Sequence, residues 1–171
     1  MRDFFELFGL APAFAIEPDE LERRYRRLQA QVHPDRFAAA SDAERRASLQ
    51  WTTRVNEAYR TLKDPVQRGR HLLELEGIDV GFETNTQMPT DFLMRQLELR
   101  EALEAAVGRR DGAALDALRG ELREARGGLE RDLAAAIDAR RDFAGATELV
   151  RKLMFLERLD DEIDAAYEAA D

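Results

Sequence analysis

Apolar residues recur at spacings of three and four along most of the chain, and no stretch alternates convincingly with period two. A chain patterned this way buries stripes on helices, so the expected fold class is all-α. Leu21, Tyr25, Leu28 and Val32 make the clearest stripe. Its helix opens at Pro18, a favourable first-turn residue, with Asp19 and Glu20 placed to suit the helix dipole. It ends at His33, because Pro34 disfavours a helical backbone in the residue before it. Ser41 or Asp42 caps a further helix, on which Trp51, Val55, Ala58, Tyr59 and Leu62 share a face. Asp64-Pro65 stops that helix, and a short one with Leu72, Leu73 and Leu75 ends at Gly77. Ahead of them all lies the apolar run Phe4, Phe5, Leu7, Phe8, Leu10.

Residues 77–90 (GIDVGFETNTQMPT) break the pattern with glycine, proline and polar residues, which predicts a linker. Val80 and Phe82 within it can pack on either neighbour. Three longer helices follow, over about 90–107, 111–139 and 142–169, spans that suit a three-helix antiparallel bundle. Gly120, Gly127 and Gly128 weaken the middle helix, yet Leu115, Leu118, Leu122, Leu129, Leu133 and Ile137 hold one face across them. One continuous helix is expected. The predicted organisation is a first domain over 1–76, a linker over 77–90 and a bundle over 91–171.

Charge separates the same halves. Residues 1–76 are neutral, and residues 77–171 carry the whole net charge of −9. That balance argues against nucleic acid, which a protein meets with a basic face. The chain has no cysteine, which excludes disulfides, thiolate metal sites and cysteine nucleophiles. Two histidines, His33 and His71, leave little for a metal site. No run approaches the ~20 apolar residues of a membrane span, and no signal peptide is read at the start, so the cytoplasm is expected.

The sharpest local feature is His33-Pro34-Asp35, presented on a tight loop between two amphipathic helices. Arg23, Arg26 and Arg27 fall on the helix face opposite the Leu21 stripe, and Arg36 extends the patch past the loop. By itself this face reads equally as ordinary solvated surface. A His–Asp pair also suits acid–base catalysis, but no second catalytic cluster or phosphate loop accompanies it. With the Phe-rich start, the Tyr25/Leu28 helix and NEAYRTLKDP (56–65), residues 1 to about 76 resemble a J domain, the module that stimulates ATP hydrolysis by DnaK-type chaperones. The resemblance implies that His33, Pro34, Asp35, Arg23, Arg26, Arg27 and Arg36 meet the chaperone. The family commonly has lysine where Arg36 stands.

The helix starting near Thr90 carries more apolar surface than a bundle core requires. With Phe92, Leu99, Leu103, Ala106 and Val107 on the core face, Leu93, Met94 and Leu97 form a second strip, continued by Glu101 and Glu104 with Glu98 beside it. On the last helix, Leu149, Leu156, Ile163 and Tyr167 form the core stripe, and Met154 and Phe155 lie off it. An apolar patch rimmed by acids is a protein-binding signature, although the same residues can widen a core or pack on the first domain. The start DFFELFGL, HPDRF, DFLMRQLELRE (91–101) and VRKLMFLERL (150–159) together resemble the HscB family, co-chaperones of iron–sulfur cluster assembly. The resemblance implies two partners, the cluster scaffold protein IscU and the DnaK-type chaperone HscA. It places scaffold contacts at Leu93, Met94, Leu97, Glu98, Glu101 and Phe155, and one further acidic position of the family falls on Ala105. It implies no cofactor. The zinc-binding cysteines of some eukaryotic relatives are absent.

Overall fold

The computed structural model describes residues 3–81 and 88–168 of the 171. Phe82 and the rest of segment 82–87 of the expected linker lie outside the described residues, as does residue 169 of the expected last helix. Every regular element among the described residues is helical. The chain divides into two compact units, Met1–Ile78 and Asp79–Asp171. The first packs four α-helices and the second three.

The first unit contains α1 (Phe4–Phe8), α2 (Pro18–Val32), α3 (Asp42–Lys63) and α4 (Pro65–Leu75). Asp3 caps α1 by accepting from the Phe5 N–H at 2.7 Å. Gly9 ends it at φ 64°, a left-handed conformation that favours glycine. The Arg24 guanidinium then donates to the Phe8 and Gly9 carbonyls at 2.8 and 2.6 Å, fastening α1 to α2. Ser41 and Glu44 form a reciprocal capping box at the start of α3. Asp64, expected only to stop α3, also caps α4 through the Gln67 N–H at 2.8 Å. Phe5, Phe8, Leu21, Val55, Ala58, Leu62 and Leu73 are buried. Tyr25 and Tyr59 stack with centroids 4.0 Å apart, and the Tyr25 hydroxyl donates to Asn56.

Trp51, expected on the buried face, is largely exposed. Its phase fits the stripe: Trp51 lies about 40° from Val55, on the same side as Ala58, which is about 60° away and fully buried; that part of the face is left uncovered among the described residues.

His71 is the buried histidine of this unit. Its Nε2 accepts from the Phe4 N–H at 3.1 Å, and its ring stacks on Phe4. Burial pushes its pKa below the ordinary 6.5, against the smaller opposing pull of Asp3 and Glu74. Arg54 lies over the neighbouring Phe4 ring. The unfolded chain therefore takes up the proton more readily than the folded one. Stability contributed by the neutral ring is complete above pH 6.5 and is lost as pH falls below it. Among the groups whose pKa the fold visibly moves, Glu20 and Glu44 titrate below 4.5 and Tyr167 above 10, so the window just under 6.5 reports His71. Urea unfolding followed by the single tryptophan, Trp51, should show a midpoint that declines from pH 7.5 to 5.5. His71→Leu should flatten that decline. It should also cost about 1–3 kcal/mol at pH 7.5, because it leaves the Phe4 N–H without its acceptor.

The second unit contains α5 (Thr90–Arg109), α6 (Gly112–Ala134) and α7 (Phe143–Glu168). Helix α6 runs unbroken through all three glycines, as expected, and continues into a π-helical turn over Ala135–Arg140. Leu99, Leu103 and Ala106 of α5, Leu115, Leu118 and Leu122 of α6, and Leu156, Leu159 and Ile163 of α7 form one core. Arg100–Glu162 links α5 to α7 at 3.0 Å, and Arg126–Glu157 links α6 to α7 at 3.3 Å.

Several expected core positions differ. Val107 is exposed: it was the outermost member of its stripe, and α5 runs past it to Arg109 with Ala106, whose carbonyl accepts from the Asp111 N–H, as its last buried residue. Leu149 and Tyr167 are only half-buried, whereas Met154, expected off the core, is buried. Helix α7 packs on α5, α6 and the π turn, so its covered arc is broader than one stripe. Val80 and Met88, within the expected linker, are both buried.

Candidate functional site

The His33-Pro34-Asp35 loop is a short 3-10 turn, Pro34–Phe37, joining α2 to α3. Pro34 sets its first residue, and the His33 side chain caps it: Nδ1 accepts from the Asp35 N–H at 3.2 Å. The accepting Nδ1 carries no proton, so in the neutral ring the proton sits on Nε2. The Asp35 carboxylate lies 3.5 Å from the same Nδ1 and is 91% exposed. It accepts no hydrogen bond on which another described element depends.

The loop is held from behind. The Val32 carbonyl, the last of α2, accepts from Ser48 Oγ at 2.6 Å and Thr52 Oγ1 at 3.1 Å. Arg36 reaches back to the Ala30 carbonyl at 3.3 Å, and Arg45 to the Ala38 carbonyl at 3.3 Å. Sequence reasoning missed Ser48 and Thr52. Their signal was present: hydroxyls four residues apart, on the stripe that leads to Val55.

The basic face of α2 is exposed but partly neutralised by acids on its own helix. Arg23 pairs with Glu20 at 2.5 Å and Arg26 with Glu22 at 2.5 Å. Hydrogen bonds from Arg24 and then Arg23 hold the Glu20 carboxyl below the usual carboxylate range. Arg27 is exposed and meets no acidic side chain among the described residues. Exposed pairs one helical turn apart contribute little and exchange readily, so an acidic partner surface can displace them. Arg36 adds a charge beside the loop while its guanidinium steadies the end of α2.

On α5 the surplus strip is exposed: Leu93 is 46% accessible, Met94 55% and Leu97 52%. The four-residue spacing of Leu93 and Leu97 and the three-residue spacing of Met94 and Leu97 group the three side chains around Leu97 on the helix surface. Glu98 borders the strip and pairs with Arg95 at 2.8 Å. Glu101, one turn further, is exposed with no basic partner among the described residues. Ala105 is exposed and supplies no charge. Phe155 behaves differently. It is half-buried, packs on the bundle core, meets Phe92 edge-on at 6.2 Å and lies under the Arg100 guanidinium at 5.5 Å. It does not stand out from the surface as the strip residues do.

The described residues contain no group of three or more His, Cys, Asp or Glu able to hold a metal ion. None of their helices is long and apolar enough to cross a membrane.

The DnaJ domain family model matches residues 3–71, and the model of the HSCB C-terminal oligomerisation domain matches residues 88–164. The co-chaperone protein HscB homolog of Aromatoleum aromaticum is 49% identical over 98% of this chain and 95% of its own. That of Burkholderia multivorans is 52% identical over 96% and 93%. Among solved structures, chaperone HscB from Vibrio cholerae superposes with a TM-score of 0.86 at 34% identity, covering 99% of this chain and all of the other. Human co-chaperone protein HscB gives 0.91 at 30% identity, covering 96% of this chain and 82% of its own. A DnaJ domain with an exposed His-Pro-Asp loop, followed by an HscB-type helical bundle, places this chain in the HscB co-chaperone family.

Proposed function

We infer that this protein binds the iron–sulfur scaffold protein IscU through its bundle, carries it to the DnaK-type chaperone HscA, and stimulates HscA to hydrolyse ATP. The observation that carries this reading is the presence of two exposed surfaces of different chemistry on two separate units. One is a polar loop with an outward carboxylate, and the other is an apolar strip with acids beside it.

The protein performs no step of hydrolysis itself. Asp35 and the α2 arginines hold a chaperone conformation whose ATPase site is nearer to reacting, and each tenfold gain in rate needs only about 1.4 kcal/mol of such preference. His33 and Pro34 keep the loop in shape and contact the partner. At the other unit, Leu93, Met94, Leu97 and Phe155 take the apolar part of the scaffold, and Glu98 and Glu101 meet its basic groups. Joining the two sites in one chain raises the local concentration of scaffold at the chaperone. Hydrolysis then locks the chaperone on the scaffold and favours cluster transfer and assembly of the recipient complexes.

Steady-state ATP turnover by HscA tests this with four mixtures: HscA alone, with this protein, with IscU, and with both. Turnover should rise with this protein and rise further, beyond the separate effects combined, when IscU is added. An unchanged rate in the presence of this protein rejects the reading.

A further inference from the structure

A cavity of about 350 Å³ opens between α5 and α6 above Leu156 of α7, beside the exposed strip. Its α6 wall includes two small residues, Ala125 and Gly128, between Leu122 and Leu129. A Cβ added at Gly128 meets only the end of Arg131, at 3.9 Å. The backbone there does not need glycine, and glycine weakens a helix interior, so what the missing side chain supplies is space. Gln96 lines the cavity from α5. It is only 4% exposed, and its Nε2 is buried without a hydrogen-bond partner in the protein. A buried donor left unpaired is costly, and elsewhere a core of this kind holds leucine. At the mouth, Arg95 is engaged by Glu98 and Glu121, whereas Asp132 is exposed and meets no basic side chain among the described residues.

The cavity therefore combines apolar walls, one unspent donor inside and one uncompensated acid at the rim. Gln96 adjoins Leu97 and sits three residues from Leu93, so cavity and strip share one helix. We propose that the cavity is an anchor pocket for a docked polypeptide segment. It takes one apolar side chain, with a main-chain carbonyl of that segment accepting from Gln96 Nε2 and a neighbouring lysine or arginine pairing with Asp132. This rests on the reading of the bundle as the scaffold-binding unit and adds to it a pocket, a donor and a charge partner outside the exposed strip.

Calorimetric titration of the full chain with purified IscU tests the pocket. Gly128→Met fills it, and Gln96→Leu removes the donor. Each should weaken scaffold binding about tenfold, while thermal unfolding stays unchanged or rises and ATPase stimulation without scaffold is retained. Asp132→Asn should weaken binding less and reduce its salt dependence. If Gly128→Met is destabilised, Gln96→Leu decides, because it trades an unpaired amide for an apolar side chain of similar size. Scaffold affinity within twofold of the parent for Gln96→Leu and for a folded Gly128→Met overturns the pocket. Should Leu93→Ala/Leu97→Ala nevertheless lose binding in that case, the scaffold reading survives. A parent that binds no scaffold removes both. Sedimentation showing a parent dimer that Gly128→Met converts to monomer assigns the pocket to a second copy of this chain and overturns the proposal.

Discussion

Asp35→Asn should abolish stimulation of the chaperone ATPase while the protein melts within about 2 °C of the parent. The side chain is 91% exposed, and it is the Asp35 backbone N–H, not its carboxylate, that donates to the capping His33 Nδ1. Asparagine keeps that backbone bond and nearly the same volume, and loses only the charge. Truncating one member of a desolvated charge pair at an interface costs about 2–5 kcal/mol. That loss converts to at least a tenfold fall in stimulated turnover. His33→Gln should fail as well, by a different route. It removes the Nδ1 acceptor that shapes the turn, together with the ring itself. Single-turnover hydrolysis by HscA with each variant, paired with thermal melts, separates loss of contact from loss of fold. Undiminished turnover for both variants places the contact elsewhere on the domain.

The second large effect belongs to the bundle. Leu93→Ala/Leu97→Ala should weaken scaffold binding about 30- to 150-fold and leave ATPase stimulation in the absence of scaffold intact. Fully burying a leucine is worth about 1.5–3 kcal/mol, and both side chains already have roughly half their surface covered. About 1–1.5 kcal/mol each is the appropriate figure, or roughly 2–3 kcal/mol together, which is the stated change in Kd. Their exposure also means that folding stability should move by no more than about 0.5 kcal/mol per site. Phe155 is unsuited to the same test. Its ring packs on the bundle core and against Phe92, so Phe155→Ala mixes lost binding with lost packing. Isothermal titration with IscU checks the pair, and an unchanged Kd moves the binding face off α5.

What the sequence showed well was local phase. The stripe through Leu21, Tyr25, Leu28 and Val32 and the stop at Pro34 gave α2 its span, because both signals act within a few residues. The same wheel isolated Leu93, Met94 and Leu97 as surplus, and the three are exposed. What it missed depends on partners distant in sequence. Ser48 reads as a polar surface residue until the Val32 carbonyl, sixteen residues away, is placed beside it. Gln96 reads as solvated until α6 covers it. Met154 looked peripheral because a single stripe was assumed for a helix that touches several elements. The α2 arginines were legible as a patch, but their pairing with Glu20 and Glu22 lowers the net charge that patch presents.

The two hydroxyls that converge on the Val32 carbonyl have a kinetic consequence. Stiffened at the rear, the tip surrenders little freedom when it docks, so its few forward groups suffice for a productive encounter. With few groups making the contact, departure after each encounter should be correspondingly quick. An activator anchored this way can serve many chaperone molecules in succession instead of remaining with one.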